Sequence, residues 1–205
     1  MESDNTIAHL DVGQRTRQIN NAASYINEAL EMLGLLDPVD GRIETAVRIA
    51  RFWGSYEEVP VTQNDVASVV SPIFAAESFK EMVVTSRIRF DALCEHHFLP
   101  FTGYAAIGII PKGKVYGLSK TARLMELFCK RPTMQERLTS EIADALFDLL
   151  QPKGLGVVLY ETMHSCMSLR GVRSHEATTT TSALRGVMMN EPETRAEFLT
   201  LAGLR

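Results

Sequence analysis

Met82-Val83-Val84-Thr85-Ser86-Arg87-Ile88-Arg89-Phe90-Asp91-Ala92-Leu93-Cys94-Glu95-His96-His97 is the stretch on which the fold turns. Its first nine residues, Met82 to Phe90, read as a strand that carries the chain into Cys94-Glu95-His96-His97. Gly103-Tyr104-Ala105-Ala106-Ile107-Gly108-Ile109-Ile110 reads as a second strand, stopped by Pro111-Lys112-Gly113. Two helices follow, Ser119 to Lys130 and Thr133 to Leu150, with Arg131-Pro132 between them. Gly154-Leu155-Gly156 opens a long strand expected to run to about Arg170. The threonine-rich run Ala177 to Ala183 suits another strand, and Glu191-Pro192-Glu193 begins a final short helix. Strand pairs on either side of two helices predict an α+β fold, an antiparallel sheet with the two inserted helices on one face.

Upstream, apolar residues recur at helical spacing from Gln18 to Leu36 (Ile19, Ala22, Ala23, Ile26, Leu30, Leu33), and Gly34 and Asp37-Pro38 end the pattern. The first dozen residues are polar and expected to be loosely held. A second helix is expected from Gly41 to Phe52 or Trp53, with Ile43, Ala46, Val47 and Ala50 on its buried stripe. Val59-Pro60-Val61 and Ser71-Pro72 look like loop or edge material around a short helix near Asp65 to Val70. This organisation divides the chain into an N-terminal helical region, 1–57, and a sheet-containing domain, 58–205.

The composition, 45% hydrophobic and 22% charged over 205 residues, is that of a globular protein. A net charge of -4 disfavours a general nucleic-acid-binding surface, so an anionic partner must meet a local basic cluster. Three cysteines are too few and too odd in number for a disulfide framework and suit a reducing compartment. Met1-Glu2-Ser3-Asp4-Asn5 lacks the basic start and apolar stretch of a signal peptide. No apolar run approaches the roughly 18 residues of a membrane span. A cytoplasmic protein with no membrane partner is expected.

Cys94-Glu95-His96-His97 is answered about 70 residues later by His164-Ser165-Cys166, so two of three cysteines and three of five histidines fall in two short segments. Zinc wants four ligands, and five candidates are present. A structural site would consume four of them. A catalytic one needs three, with an open position and acid–base groups beside it: Cys94, His97 and Cys166 as ligands would leave His96 and His164 to move protons. Alternation along the expected strand puts His164, Cys166, Ser168 and Arg170 on one face, with Val157, Leu159 and Met163 on the other. Cys129, among Leu124, Met125, Leu127 and Phe128, reads as core.

Gly117-Leu118-Ser119-Lys120-Thr121-Ala122-Arg123 opens a helix that Ser119 can cap. Lys120 and Arg123 near a helix N-terminus oppose the dipole and so want an anion such as phosphate nearby. Arg170, and Arg48 with Arg51 on one face of the second helix, could complete a triphosphate clamp. Thr133-Met134-Gln135-Glu136 fits the capping box, with Glu136 reaching back to the cap. Functionally, the Glu136 carboxylate matches the N1–H and 2-amino donors of guanine, with Gln135 alongside.

Together, Cys94-Glu95-His96-His97, Gly117-Leu118-Ser119-Lys120 with Arg123, Gln135-Glu136-Arg137-Leu138-Thr139, and His164-x-Cys166 with Arg170-Gly171-Val172 resemble GTP cyclohydrolase I. The resemblance covers Glu81 to the C-terminus firmly and the second helix weakly. It implies a tunnelling fold and a homodecamer of two face-to-face pentamers, with several subunits building each active site. It implies that Zn2+ held by Cys94, His97 and Cys166 activates water for attack at C8 of GTP. His96 and His164 would move protons as formate leaves and 7,8-dihydroneopterin triphosphate forms. Glu136 and Gln135 would take the base, Ser119 the sugar hydroxyls or phosphates, and Lys120, Arg123, Arg170, Arg48 and Arg51 the triphosphate. Folate, tetrahydrobiopterin or 7-deazapurine synthesis would use the product.

The chain departs from the common family pattern at Ala46 (usually proline), Arg51 (lysine), Arg87 (often acidic), Ala92 (serine) and Thr133-Met134 (Gln-Val). A non-catalytic, zinc-stabilised nucleotide-binding oligomer is the contrasting expectation, and it has no need of His96 and His164. A zinc nucleoside deaminase would need H-x-E and P-C-x-x-C, which are absent.

Overall fold

The computed structural model describes residues 11–35, 43–56 and 59–204, and the chain forms two compact units, Met1–Val59 and Pro60–Arg205. In the first unit, α1 spans Val12–Met32 and α2 spans Ile43–Trp53. Helix α1 begins six residues earlier than apolar spacing suggested. Residues 12–17 carry little periodic signal, but Asp11 and Gln14 close a capping box, with Gln14 N–H donating to Asp11 Oδ1 at 2.8 Å and Asp11 N–H to Gln14 Oε1 at 3.0 Å. Ala23, Ala46 and Ala50 form the small apolar core of this unit, flanked by Ile19, Ile26 and Val47. Leu36, Asp37-Pro38 and Gly41, invoked for the helix boundaries, lie outside the described residues, as do residues 1–10.

The second unit opens with α3 (Gln63–Val70), capped by Thr62, followed by β1 (Ile73–Ala76), β2 (Val83–Leu93), β3 (Pro100–Ile110) and β4 (Gly113–Tyr116). Then come α4 (Ser119–Cys129), α5 (Gln135–Leu150), β5 (Gly154–His164), α6 (Ser165–Ser168), β6 (Thr179–Gly186), α7 (Val187–Asn190) and α8 (Pro192–Leu201). The main sheet is antiparallel throughout, in the order β2-β3-β5-β6, and β1 pairs with β4 in a small second sheet. This is the α+β tunnelling fold, with α4 and α5 inserted between β4 and β5.

Both faces of the central strands are buried, so β3 and β5 read as continuous apolar runs. One face, with Phe90, Ala105, Ile107, Leu155, Val157 and Leu159, packs on Leu124, Met125, Phe128, Leu138, Ile142 and Leu146 of the inserted helices. The opposite face, with Ala106, Val158 and Tyr160, packs on Met188 and Phe198. The Phe198 ring seats where Gly108 of β3 pairs with Gly156 of β5; a Cβ at either glycine would lie 2.5 or 2.6 Å from that ring. Strands β1 and β4 are additions to the sequence reading: both are short and lie beside Pro72 and Pro111. No helix among the described residues is long and apolar enough to cross a membrane.

One expectation fails. The long strand does not reach Arg170: β5 ends at His164 and the chain turns into α6. Strict alternation is already broken at Glu161, where φ is 49° and the pairing register with both neighbours shifts. His164, Cys166, Ser168 and Arg170 are therefore not on one strand face; a helical turn, not strand parity, presents Cys166.

Candidate active site

Strand β2 delivers Leu93 and Cys94 to one end of the sheet, and the chain reverses there: Cys94 N–H donates to Leu99 O at 2.9 Å and Phe98 N–H to Cys94 O at 2.8 Å. The reversal puts Cys94, His96 and His97 on one tight turn. The Cys94 Sγ lies 3.8 Å from Nδ1 of both His96 and His97. From the far side of β3, α6 brings Cys166 to the same point, and donor atoms of Cys94, His97 and Cys166 all lie within 4.8 Å of one another. Cys94 is buried, Cys166 half-buried and His97 exposed, so the group opens to one side. Burial, and then Cys94 beside it, push the Cys166 thiol up from its ordinary value. A divalent cation would let both thiols ionise.

Both thiols line a cleft of about 350 Å³ whose walls include Cys94, His96, Phe101, Gln135, Glu136, His164 and Cys166. The His164 ring lies flat on Phe101, centroids 4.8 Å apart and planes within 8°, and its Nε2 is 2.7 Å from Gln135 Oε1. Burial lowers the His164 pKa, and the Glu136 charge opposes that shift. His96 has a side chain 58% exposed. Arg170 Nη1 donates to His97 Nε2 at 2.7 Å.

Helix α5 starts differently from the expected capping box. Met134, not Thr133, is its N-cap, and no side chain caps it. Thr133 is turned away because its main chain pairs with the Cys94–His97 turn. Its N–H donates to Leu93 O at 2.8 Å and its O accepts from Glu95 N–H at 3.2 Å. Glu136, relieved of capping, is exposed and makes no hydrogen bond among the described residues. Gln135 is 1% exposed, and its amide is engaged by His164, Thr181 and two backbone carbonyls.

The cationic helix start lies elsewhere. Leu118 is the N-cap of α4, without a side-chain bond, and Ser119 is the first helical residue, so Ser119 does not cap. Lys120 N–H turns back to Gly117 O at 2.9 Å. Leu118 and Thr121 border an apolar cavity of about 360 Å³ shared with Ile107 and Ile109. Along β3, eight residues separate Ile109 from Phe101 in the cleft, about 26 Å at ~3.3 Å per residue. Ser119, Lys120 and Arg123 thus stand at the opposite end of the sheet from the Cys–His–Cys group. Arg48 and Arg51 are exposed on α2 of the first unit, Arg48 paired with Glu44 at 2.6 Å.

Arg137, Phe101, Thr139 and Thr181 are participants that were not anticipated. Arg137 forks onto the Glu95 carboxylate, bracing the Cys94–His97 turn against α5. Phe101 supports His164, and Thr181 with Thr139 stands behind Gln135. Arg137 sits inside a motif already noted, but nothing in the linear sequence ties it to Glu95.

A tunnelling-fold chain that gathers two thiols and an imidazole beside two further histidines and a carboxylate free of hydrogen bonds among the described residues has the parts of a metal-dependent enzyme site. Comparison narrows this: the chain belongs to the GTP cyclohydrolase I family, whose model matches residues 22–203. It is 41% identical to GTP cyclohydrolase 1 of Deinococcus radiodurans over 181 residues, 88% of this chain and 82% of the relative. With GTP cyclohydrolase 1 of Chlorobium chlorochromatii it shares 41% over 202 residues, 97% of this chain and 86% of the other. The Aquifex aeolicus enzyme of that name is 45% identical over 172 residues, 84% of this chain and 90% of its own. Among solved structures, the archaeosine synthase QueF-Like in its apo form aligns with 51% of this chain and 93% of its own at 13% identity, TM-score 0.42.

Proposed function

We propose that this protein is a zinc-dependent GTP cyclohydrolase I, converting GTP and water to formate and 7,8-dihydroneopterin triphosphate in the cytoplasm. The observation that carries this reading is the gathering of three donor atoms within 4.8 Å in a group that borders the cleft of His96, His164 and Glu136. Two thiols and an imidazole, open on one side, fit a catalytic zinc, with Cys94, His97 and Cys166 as its protein ligands. When bound, zinc supplies the Lewis acidity that makes water nucleophilic near neutral pH.

The remaining roles belong to the chain's own side chains. Glu136 accepts from the guanine N1–H and 2-amino group, which a base with acceptors at that edge cannot satisfy. His164, held flat on Phe101, and the more exposed His96 move protons as the imidazole ring opens and formate departs. Gln135 we place behind His164 rather than against the base. Arg170 already lies beside the ligand His97, whereas Lys120 and Arg123 stand at the other end of the sheet.

Ser119, Lys120 and Arg123 bind the sugar or triphosphate in this reading, yet they lie at the far end of the same sheet. A second copy therefore supplies them, and the reading is one of a homodecamer of two pentamers, with Arg48 and Arg51 as further triphosphate ligands. Pathway assignment follows from the product: folate, tetrahydrobiopterin or 7-deazapurine synthesis.

The test is formate release and pterin fluorescence from metal-loaded protein incubated with GTP. Both products are expected. GTP binding with neither product would replace this reading with a non-catalytic nucleotide binder.

A further inference from the structure

Behind the cleft, four side chains form a network with a single consistent order of protons. Thr139 Oγ1 donates to Gln135 O at 2.7 Å, as an i to i−4 bond within α5. Its hydrogen is therefore spent, and the 2.6 Å contact between Thr139 Oγ1 and Thr181 Oγ1 must be donated by Thr181. The Thr181 oxygen is left as an acceptor, and it faces Gln135 Nε2 at 3.0 Å. The same Nε2 faces Leu159 O and Thr179 O, each at 3.4 Å; carbonyls only accept, so the atom pointing at all three is the NH2 group. The amide orientation is thereby fixed with no reference to His164.

The consequence falls on the histidine. Gln135 Oε1, with no hydrogen to give, lies 2.7 Å from His164 Nε2. That contact exists only if Nε2 carries the proton. A histidine's working nitrogen is set by the bond its other nitrogen makes. We infer that Gln135 is a positioning residue that locks His164 in its Nε2–H tautomer, leaving Nδ1 as the nitrogen that takes and returns protons. The assignment holds whether the ring is neutral or charged, because Nε2 keeps its hydrogen in both forms.

This inference rests on the proposed reading that His164 moves protons, and its test separates the two. The metal-loaded protein is labelled with ¹⁵N-histidine, and the His164 signals are identified by their loss in His164→Ala. The expected result is a bare-nitrogen resonance at Nδ1 and an N–H at Nε2. An N–H at Nδ1 with a bare Nε2 would overturn the inference, whatever the activity. In Gln135→Met, which keeps the volume but neither polar atom, a mixture of tautomers is expected. The kcat for formate release should fall about 100-fold, at the lower end of a general acid–base contribution, with KM for GTP changed less than about threefold. A large rise in KM at unchanged kcat would mean that Gln135 contacts substrate, and the inference would be withdrawn. If instead His164→Ala releases formate at the wild-type rate, the proton-shuttle reading fails while the tautomer lock stands on its spectrum.

Discussion

Thr133 lies beside Cys94 as a single-residue parallel strand, giving its N–H to Leu93 and taking that of Glu95. The start of α5 is thus stitched to the turn that carries Cys94 and His97, and the Arg137–Glu95 fork repeats the connection one turn into the helix. Two backbone bonds and one bidentate ion pair hold the thiol turn and Glu136 in a fixed relation.

This arrangement makes the Thr133 hydroxyl dispensable. A working Ser/Thr N-cap is worth about 1 kcal/mol, but here Thr133 Oγ1 reaches only Met134 O, at 3.3 Å. Thr133→Val preserves the shape and both main-chain bonds. Because Met134 O keeps the bond from Leu138 N–H, the unfolding free energy in urea is expected to match wild type within about 0.5 kcal/mol, the lower end of a hydrogen bond's net contribution. A loss of a full capping increment would mean that Thr133 caps α5 in solution.

The cysteine pair should behave as one half of a metal site. Cys166→Ala leaves Cys94 and His97 on their turn, because α6 is a separate element. The variant is expected to fold with unchanged far-ultraviolet dichroism, to lose its tightly held zinc equivalent, and to release no formate from GTP. Retention of one zinc per chain together with activity would remove Cys166 from the ligand set.

Much of this was legible because the signals were local. Helices α4 and α5 and strands β2 and β3 follow from apolar periodicity and from Pro and Gly punctuation. The gathering of Cys94, His97 and Cys166 follows from residue types that have few other uses together. The failures share a cause: they depend on partners far away in sequence. Strand β5 looked continuous to Arg170 because its residues suit a strand, and the left-handed backbone at Glu161 has no signature in a non-glycine residue. Thr133 matched a capping box, but pairing with Leu93 and Glu95, about 40 residues upstream, won the competition for its backbone. The position of Lys120 and Arg123 at the opposite end of the sheet could not be read from a pattern that gives order but not direction.

Glu136 offers the sharpest separation of base recognition from stability. Its side chain makes no bond that the helix needs, so Glu136→Ala is expected to unfold at the wild-type Tm. A hydrogen bond to a charged group contributes about 1.5–3 kcal/mol, and two are proposed here. KM for GTP should therefore rise at least about 100-fold. Isothermal titration of a non-hydrolysable GTP analogue checks the same quantity without turnover. Unchanged affinity would place the guanine elsewhere in the cleft.

Cys129 tests whether the third cysteine is purely a core residue. It is 6% exposed, at the end of α4, and burial, then Asp91 and Glu126, push its thiol up to about 12. The thiolate is the reactive form, so native, zinc-loaded protein should not react at Cys129 with a disulfide reagent at pH 8, whereas urea-unfolded protein should. The linkage has a definite sign. A raised folded pKa means that the native state keeps a proton that the unfolded state releases above about pH 9. Stability from this group is therefore full below that pH and declines as pH rises toward 12. Cys129→Ala removes the group, and its unfolding free energy should fall less steeply between about pH 9 and 10.5 than that of wild type. Equal alkaline slopes in the two proteins, or rapid labelling of Cys129 in the native state, would show that the end of α4 opens to solvent far more readily than the burial of Cys129 implies.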